Sequence, residues 1–156
     1  PGIYIPVSLT TREPRPGEVD GVSYHFVSEQ RFQEKVESGE LLEHAIVHGT
    51  HSYGTPRGEV VDAIASGRDV LLEIDLQGAR QVKRNLPEAQ LVFIAPPSWE
   101  ELVRRLTGRG TENASQVEHR LATARVELEA REEADFVIVN DRIEDTAQAL
   151  IVLMGL

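Results

Sequence analysis

From Gly67 onward the chain alternates continuous apolar runs, Val70 to Ile74, Leu91 to Ala95 and Phe136 to Val139, with segments of helix length. Continuous apolar strands between helices predict a parallel sheet covered on both faces, an α/β fold of three layers. Val117, Leu121, Ala124 and Leu128 follow the three-to-four spacing of a buried helical stripe. Helix starts are marked by Thr55 before Pro56, by Ser98 with Glu101, and by Ser115 with Glu118, the last two fitting a capping box. Gly39 and Gly67 stand where helices from about Glu29 and Pro56 should stop. The last helix, from about Glu144, stays apolar to Leu156.

The front of the chain has a different pattern. An expected strand at Ile3 to Leu9 leads into a Pro/Gly-rich loop from Arg12 to Gly21, then short alternating stretches at Tyr24 to Val27 and Leu41 to Val47. This predicts a small mixed or antiparallel insertion. The parallel strands need neighbours on both sides to satisfy their backbone groups, and few other buried strands are on offer. A further central strand is therefore expected. In an α/β phosphotransferase that strand would lead into a phosphate loop, and no G-x-x-x-x-G-K-[ST] occurs between Pro1 and Leu156.

Composition narrows this picture. A chain of 156 residues, 40% of them hydrophobic, buries one good core and suggests a single domain. Without cysteine there is no disulfide framework, thiol nucleophile or thiolate metal site, which fits a reducing compartment. No apolar run approaches the roughly 18 residues of a membrane span, and no secretory signal follows Pro1 and Gly2, so a cytoplasmic protein without a membrane partner is expected. The net charge of -10 would repel a polyanion, which argues against nucleic acid. Small phosphates need only a local cluster of arginines, and several here are grouped.

Three clusters can carry chemistry. Arg12 and Arg15, in Ser8-Leu9-Thr10-Thr11-Arg12-Glu13-Pro14-Arg15-Pro16-Gly17-Glu18, could make a preformed fork for phosphate oxygens, joined by the hydroxyls of Tyr24 and Tyr53. A solvated loop whose arginines pair with Glu13 and Glu18 is the other reading. Glu43, Glu73 and Asp75 lie on the expected insertion and at the mouth of a strand, where a carboxylate needs a partner and where ligands bind. Guanine supplies donors at N1 and its amino group, and Thr55 could donate to O6. Salt-bridged strand ends, or a carboxylate near magnesium-bound water, fit Glu73 and Asp75 equally. Arg104, Arg105 and Arg109 with Gly108 and Gly110, followed by Arg120 and Arg125, describe either a positively charged hinged lid or an ordinary interhelical turn. His44, His48 and His51 are close enough in sequence to suggest a metal site, but they straddle an expected strand and turn without the fixed geometry a metal needs, and Trp99 reads as helix packing.

In this order, Ser8 to Glu18, Tyr24-His25-Phe26, Gly39-Glu40-Leu41-Leu42-Glu43, Tyr53-Gly54-Thr55, Glu73 to Ala79, Phe93 to Ser98, Arg105 to Thr111 and Val139-Asn140-Asp141 closely resemble guanylate kinases over essentially the whole chain. The resemblance implies ATP and GMP (or dGMP) giving ADP and GDP, with magnesium. It implies a phosphate-loop-type core with a mixed-sheet GMP-binding insertion and a helical lid. The parts would be a GMP region at about 10–57, a core at about 58–100 and 126–156, and a lid at about 101–125. By matching positions, Arg12, Arg15, Tyr24 and Tyr53 would bind the GMP phosphate, and Ser8, Glu43, Thr55 and Glu73 would read guanine. Arg105, Arg109 and Arg120 resemble the lid and catalytic arginines, and Arg12 is a catalytic candidate as well. Asp75 resembles the acid near phosphates and magnesium, and Asn140, with Arg109, a contact to ATP. The family's phosphate loop would lie upstream of Pro1, so these residues alone are expected to be inactive. The second implication is a guanylate-kinase-like binding domain that recognises a nucleotide or phosphopeptide without ATP.

Overall fold

In the computed structural model, which describes residues 2–47, 49–108 and 114–156, the chain divides into two units, Pro1–Ala89 and Gln90–Leu156. The first unit is built on a four-stranded mixed sheet. Its strands are β1 (Leu9–Thr10), β2 (His25–Phe26), β3 (Leu41–Val47) and β4 (His51–Pro56). Their order is β2-β1-β4-β3, with β1 parallel to β2 and both β1 and β3 antiparallel to β4. This is the mixed insertion that the alternating stretches predict.

Three helices accompany the sheet: α1 (Glu29–Glu37), α2 (Arg57–Ala65) and α3 (Leu76–Asn85). Ser28 caps α1 by accepting from the Arg31 N–H. The chain leaves α1 through Gly39 and α2 through Gly67, at φ 70° and 76°. A residue with a Cβ rarely adopts that left-handed turn, and it lets Glu40 N–H and Arg68 N–H close back onto Lys35 and Ala63 carbonyls. Leu9, Phe32 and Leu41 form one apolar cluster, and Leu42, Val60 and Val82 a second, joined by Val70, Leu72, Ile74 and Leu86.

Three expectations here need correction. Thr55 does not start α2: it lies inside β4, and Pro56 is the cap position. Of the run Val70 to Ile74, only Val70 pairs, in a parallel bridge to Tyr4 flanked by bonds from Tyr4 N–H to Asp69 and from Leu71 N–H to Tyr4. A ladder needs several consecutive residues paired with an extended neighbour, and among the described residues this segment has one such contact. Among the described residues the same bridge is all the pairing at the front of the expected Ile3 to Leu9 strand.

The second unit holds β5 (Val92–Ala95), α4 (Trp99–Thr107), α5 (Ala114–Glu129), a 3-10 turn (Ala130–Glu133), β6 (Phe136–Val139) and α6 (Ile143–Leu153). β5 and β6 pair in parallel, Val92 against Phe136 through Ala95 against Val139, as two apolar runs separated by helices should. Ile94, Val137 and Val139 nevertheless stay exposed among the described residues, where full cover was expected. Ser98 caps α4 by accepting from Glu101 N–H. Ser115, expected to start a helix, is already inside α5. On the α5 stripe Ala124 is buried, and Trp99 receives the Arg125 guanidinium 5.1 Å above its ring, which fits packing between α4 and α5. Among the described residues no helix is long and apolar enough to cross a membrane.

Candidate functional site

Strand alternation brings the acceptor-side residues together in the first unit. Thr10 of β1 pairs with Tyr53 of β4, and Thr55, two residues on, pairs with Glu43 of β3. Directly paired residues project to the same face, as do residues two apart along a strand. Thr10, Tyr53, Thr55 and Glu43 therefore share one face, and Ser8 has the parity of Thr10.

Glu43 is buried, 4% exposed, and Thr55 is 1% exposed. The Thr55 hydroxyl donates to Glu43 Oε1 at 2.6 Å. Burial holds the Glu43 carboxyl above the ordinary carboxylate range; the hydroxyl and backbone of Thr55 oppose this, and the charge of Asp75 adds to it. Because its one proton goes to Glu43, Thr55 orients the carboxylate here and is not a free donor for a purine O6. Glu43 Oε2 lies against Gly78 in the first turn of α3. Asp75 caps that turn, accepting from Gly78 N–H at 2.8 Å. Glu73, two residues earlier, is exposed.

Arg12 lies two residues past β1 and is enclosed by neighbours on and just before β2 and on β4. Its guanidinium lies 5.5 Å from the Tyr24 ring centre and 5.9 Å from that of Phe26, and Tyr24 meets Tyr53 edge-on at 5.9 Å. Its Nε donates to Tyr53 Oη at 3.3 Å, Nη1 to the Glu13 carbonyl and to Glu18 Oε2, and Nη2 to Glu18 Oε1 at 2.8 Å. Four of its five N–H groups are thus engaged. The Glu18 carboxylate strengthens the hold of Arg12 on its proton, and Arg12, helped by the Arg15 backbone N–H, holds Glu18 below the usual carboxylate range. Within this loop Arg12 is thus paired with Glu18. Arg15 is exposed, and among the described residues its guanidinium has no hydrogen-bond partner.

In the second unit Arg105 and Asn140 come together. Arg105 Nε donates to Glu101 Oε1 at 2.6 Å, and Nη1 donates to the Asn140 carbonyl at 2.9 Å. Asn140 Oδ1 accepts from the Thr146 hydroxyl. Arg105 first, then Arg104, holds the Glu101 carboxyl below its ordinary range. Arg120 lies half-buried on α5. Arg109, Gly110, Thr111 and His48 lie outside the described residues.

Three participants escaped the sequence reading: Gly78, Gln81 and Asn85. Gln81 takes the His44 N–H at 3.1 Å and donates to the His44 carbonyl at 2.6 Å, and Asn85 Nδ2 donates to the Leu42 carbonyl at 2.7 Å. These two side chains, one helical turn apart, cover the open edge of β3 on both sides of Glu43. One signal was available: a glycine inside an amphipathic helix costs about 1 kcal/mol relative to alanine, so it usually marks a close approach.

Comparison with known proteins agrees with this layout. A family model described as guanylate kinase matches residues 2–155. The guanylate kinase of Leifsonia xyli subsp. xyli is 56% identical over 154 residues, which is 99% of this chain and 61% of that protein. The one from Streptomyces coelicolor is 56% identical over 153 residues, 98% of this chain and 77% of its own length. The crystal structure of guanylate kinase from Anaplasma phagocytophilum matches with a TM-score of 0.83 at 38% identity, covering 98% of this chain and 74% of that one.

Proposed function

The chain belongs to the guanylate kinase family, and from that premise we propose that its first unit is the GMP site of an enzyme that transfers the terminal phosphoryl of ATP to GMP. Family membership sets the reaction class, a kinase reaction giving GDP and ADP. The observation that carries the site assignment is the buried Glu43 carboxylate, with Oε1 taken by Thr55 and Oε2 turned to the first turn of α3. A buried acceptor with spare lone pairs is costly until a donor arrives, and guanine brings two, at N1 and the 2-amino group. Adenine presents an acceptor at N1 and would face the carboxylate with repulsion.

In this reading Glu43 accepts from the guanine edge while Thr55 fixes its orientation. Ser8 and Glu73 complete the base side. Arg15, with its unengaged guanidinium, makes the first contact with the GMP phosphate, and Arg12, Tyr24 and Tyr53 complete the phosphate side. Direct transfer needs no covalent intermediate, since positioning and charge neutralisation do the work. Arg105, Arg109 and Arg120 neutralise the transferring phosphoryl group, and Asn140 with Arg109 serves ATP. Residues at about 10–57 make the GMP region, about 101–125 the lid, and about 58–100 and 126–156 the core.

Magnesium fits this donor set in one way. Among the described residues no cluster of three His, Asp or Glu side chains could hold a metal alone. Magnesium with a nucleotide is held mostly by phosphates and water with one or two carboxylates, and Asp75, with lone pairs left after capping α3, fits that part. When bound, the ion would neutralise phosphate charge. A cytoplasmic location accords with the absence of cysteine and with substrates that are cytoplasmic nucleotides.

The test is substrate choice in the full-length enzyme. GMP and dGMP should be phosphorylated efficiently and AMP poorly. Equal kcat/KM for AMP and GMP would sink the base-reading role of Glu43.

A further inference from the structure

Gly78 is the third residue of α3, and an added Cβ there would stand 2.5 Å from Glu43 Oε2, 3.1 Å from Glu43 Cδ and 3.3 Å from Ile74 Cβ. The first distance is far inside van der Waals contact, so something must move. The carboxylate has little room, being 4% exposed and tied to Thr55 through its other oxygen. The helix cannot withdraw either. Gln81 and Asn85 grip the backbone at His44 and Leu42, the two neighbours of Glu43, and Ala79 and Val82 of α3 are buried. Asp75 holds the Gly78 N–H and fixes the first turn from the other side.

We infer that Gly78 is a specificity-determining positioning residue: its bare Cα forms the niche that holds the Glu43 carboxylate at the height needed to meet the guanine amino group. The inference rests on the proposed role of Glu43. It adds that the niche belongs to α3 and depends on one missing methyl group. A side chain at position 78 would push Oε2 off its position while Thr55 still holds Oε1, rotating the carboxylate plane away from the purine edge. The phosphate-side residues, on β4 and in the segment between β1 and β2, would stay in place. The loss should therefore fall on base recognition and leave the transfer step intact.

The experiment uses the full-length enzyme with Gly78→Ala, Glu43→Gln and the double variant Gly78→Ala/Glu43→Asp. GMP and IMP, whose base lacks the 2-amino group, are the acceptors. Gly78→Ala should raise the KM for GMP about ten-fold or more, keep kcat within about three-fold, and reduce the preference for GMP over IMP toward that of Glu43→Gln. The shorter acid in the double variant should recover part of any melting temperature lost by Gly78→Ala, since it withdraws the group the methyl meets. A Gly78→Ala enzyme with unchanged KM and preference overturns the inference while the role of Glu43 stands. If Glu43→Gln itself keeps the preference, the reading of Glu43 falls and takes the inference with it. Should Gly78→Ala prove too unstable to assay, no recovery in the double variant also overturns the inference, because the clash then lies elsewhere.

Discussion

Replacing Glu43 by Gln should stabilise the ligand-free protein at neutral pH and weaken GMP at the same time. The carboxyl is buried, and its folded-state pKa is raised above the ordinary glutamate value of 4.5, first by burial. A raised carboxyl binds its proton more tightly when folded than when unfolded. The resulting stability is full below the unfolded pKa and is lost as pH rises through the folded one. Glutamine stays neutral throughout and keeps the bond from Thr55, so the variant's advantage in melting temperature should grow upward from about pH 4.5 and then level off. GMP reverses the order. Its two donors favour the ionised carboxylate, and a hydrogen bond to a charged group is worth about 1.5 to 3 kcal/mol, or roughly 10- to 150-fold in affinity. The amide NH2 of glutamine would oppose one donor outright. GMP binding to the native protein should also release protons within the pH window where Glu43 titrates. Scanning calorimetry across pH, with GMP titrations in buffers of different ionisation enthalpy, measures all three effects. A lower melting temperature for Glu43→Gln at neutral pH, or unchanged GMP affinity, would refute the reasoning.

Two other predictions follow from the same geometry. Arg15→Ala should weaken GMP about ten-fold or more with little change in melting temperature, whereas Arg12→Ala should lower both, because only Arg12 is built into the Glu18–Tyr53 network; indistinguishable melting curves for the two variants would contradict this. Gln81→Ala should cost about 1 to 3 kcal/mol by exposing the β3 edge and should speed hydrogen exchange of the His44 amide, which amide-resolved exchange would detect.

What the sequence shows and what it hides divides along physical lines. Local signals worked: Ser98 caps α4, Gly39 and Gly67 end α1 and α2, and the Phe136 to Val139 run is β6 to the residue. Such signals depend on a few neighbouring residues and their backbone angles. The run from Val70 to Ile74 is apolar but for Glu73, yet among the described residues only Val70 pairs, because a ladder is made by partners distant in sequence. Glu43 and Thr55 were legible as candidates, but not the bond between them, which follows from the register of β3 on β4. Gly78 and Gln81 were hidden for the same reason: their partners on β3 lie some 35 residues away in sequence. The loop from Arg12 to Glu18 admitted two readings, and side-chain geometry alone decides that Arg12 faces Glu18.

The two ends of the proposed GMP site hold their charges in opposite ways, and that difference explains where selectivity should arise. On the phosphate side, Arg12 has four N–H groups engaged and Glu18 beside it, so an arriving phosphate replaces interactions that already exist. That exchange is insensitive to the base attached. On the base side, Glu43 is buried with one oxygen bonded by Thr55 and the other lying against the bare Cα of Gly78. A ligand with the right donors relieves a desolvated acceptor, and one without them leaves the full cost in place. Discrimination among nucleoside monophosphates should therefore appear in mutations of the Glu43, Thr55 and Gly78 group, while mutations around Arg12 and Arg15 should lower affinity for all of them alike.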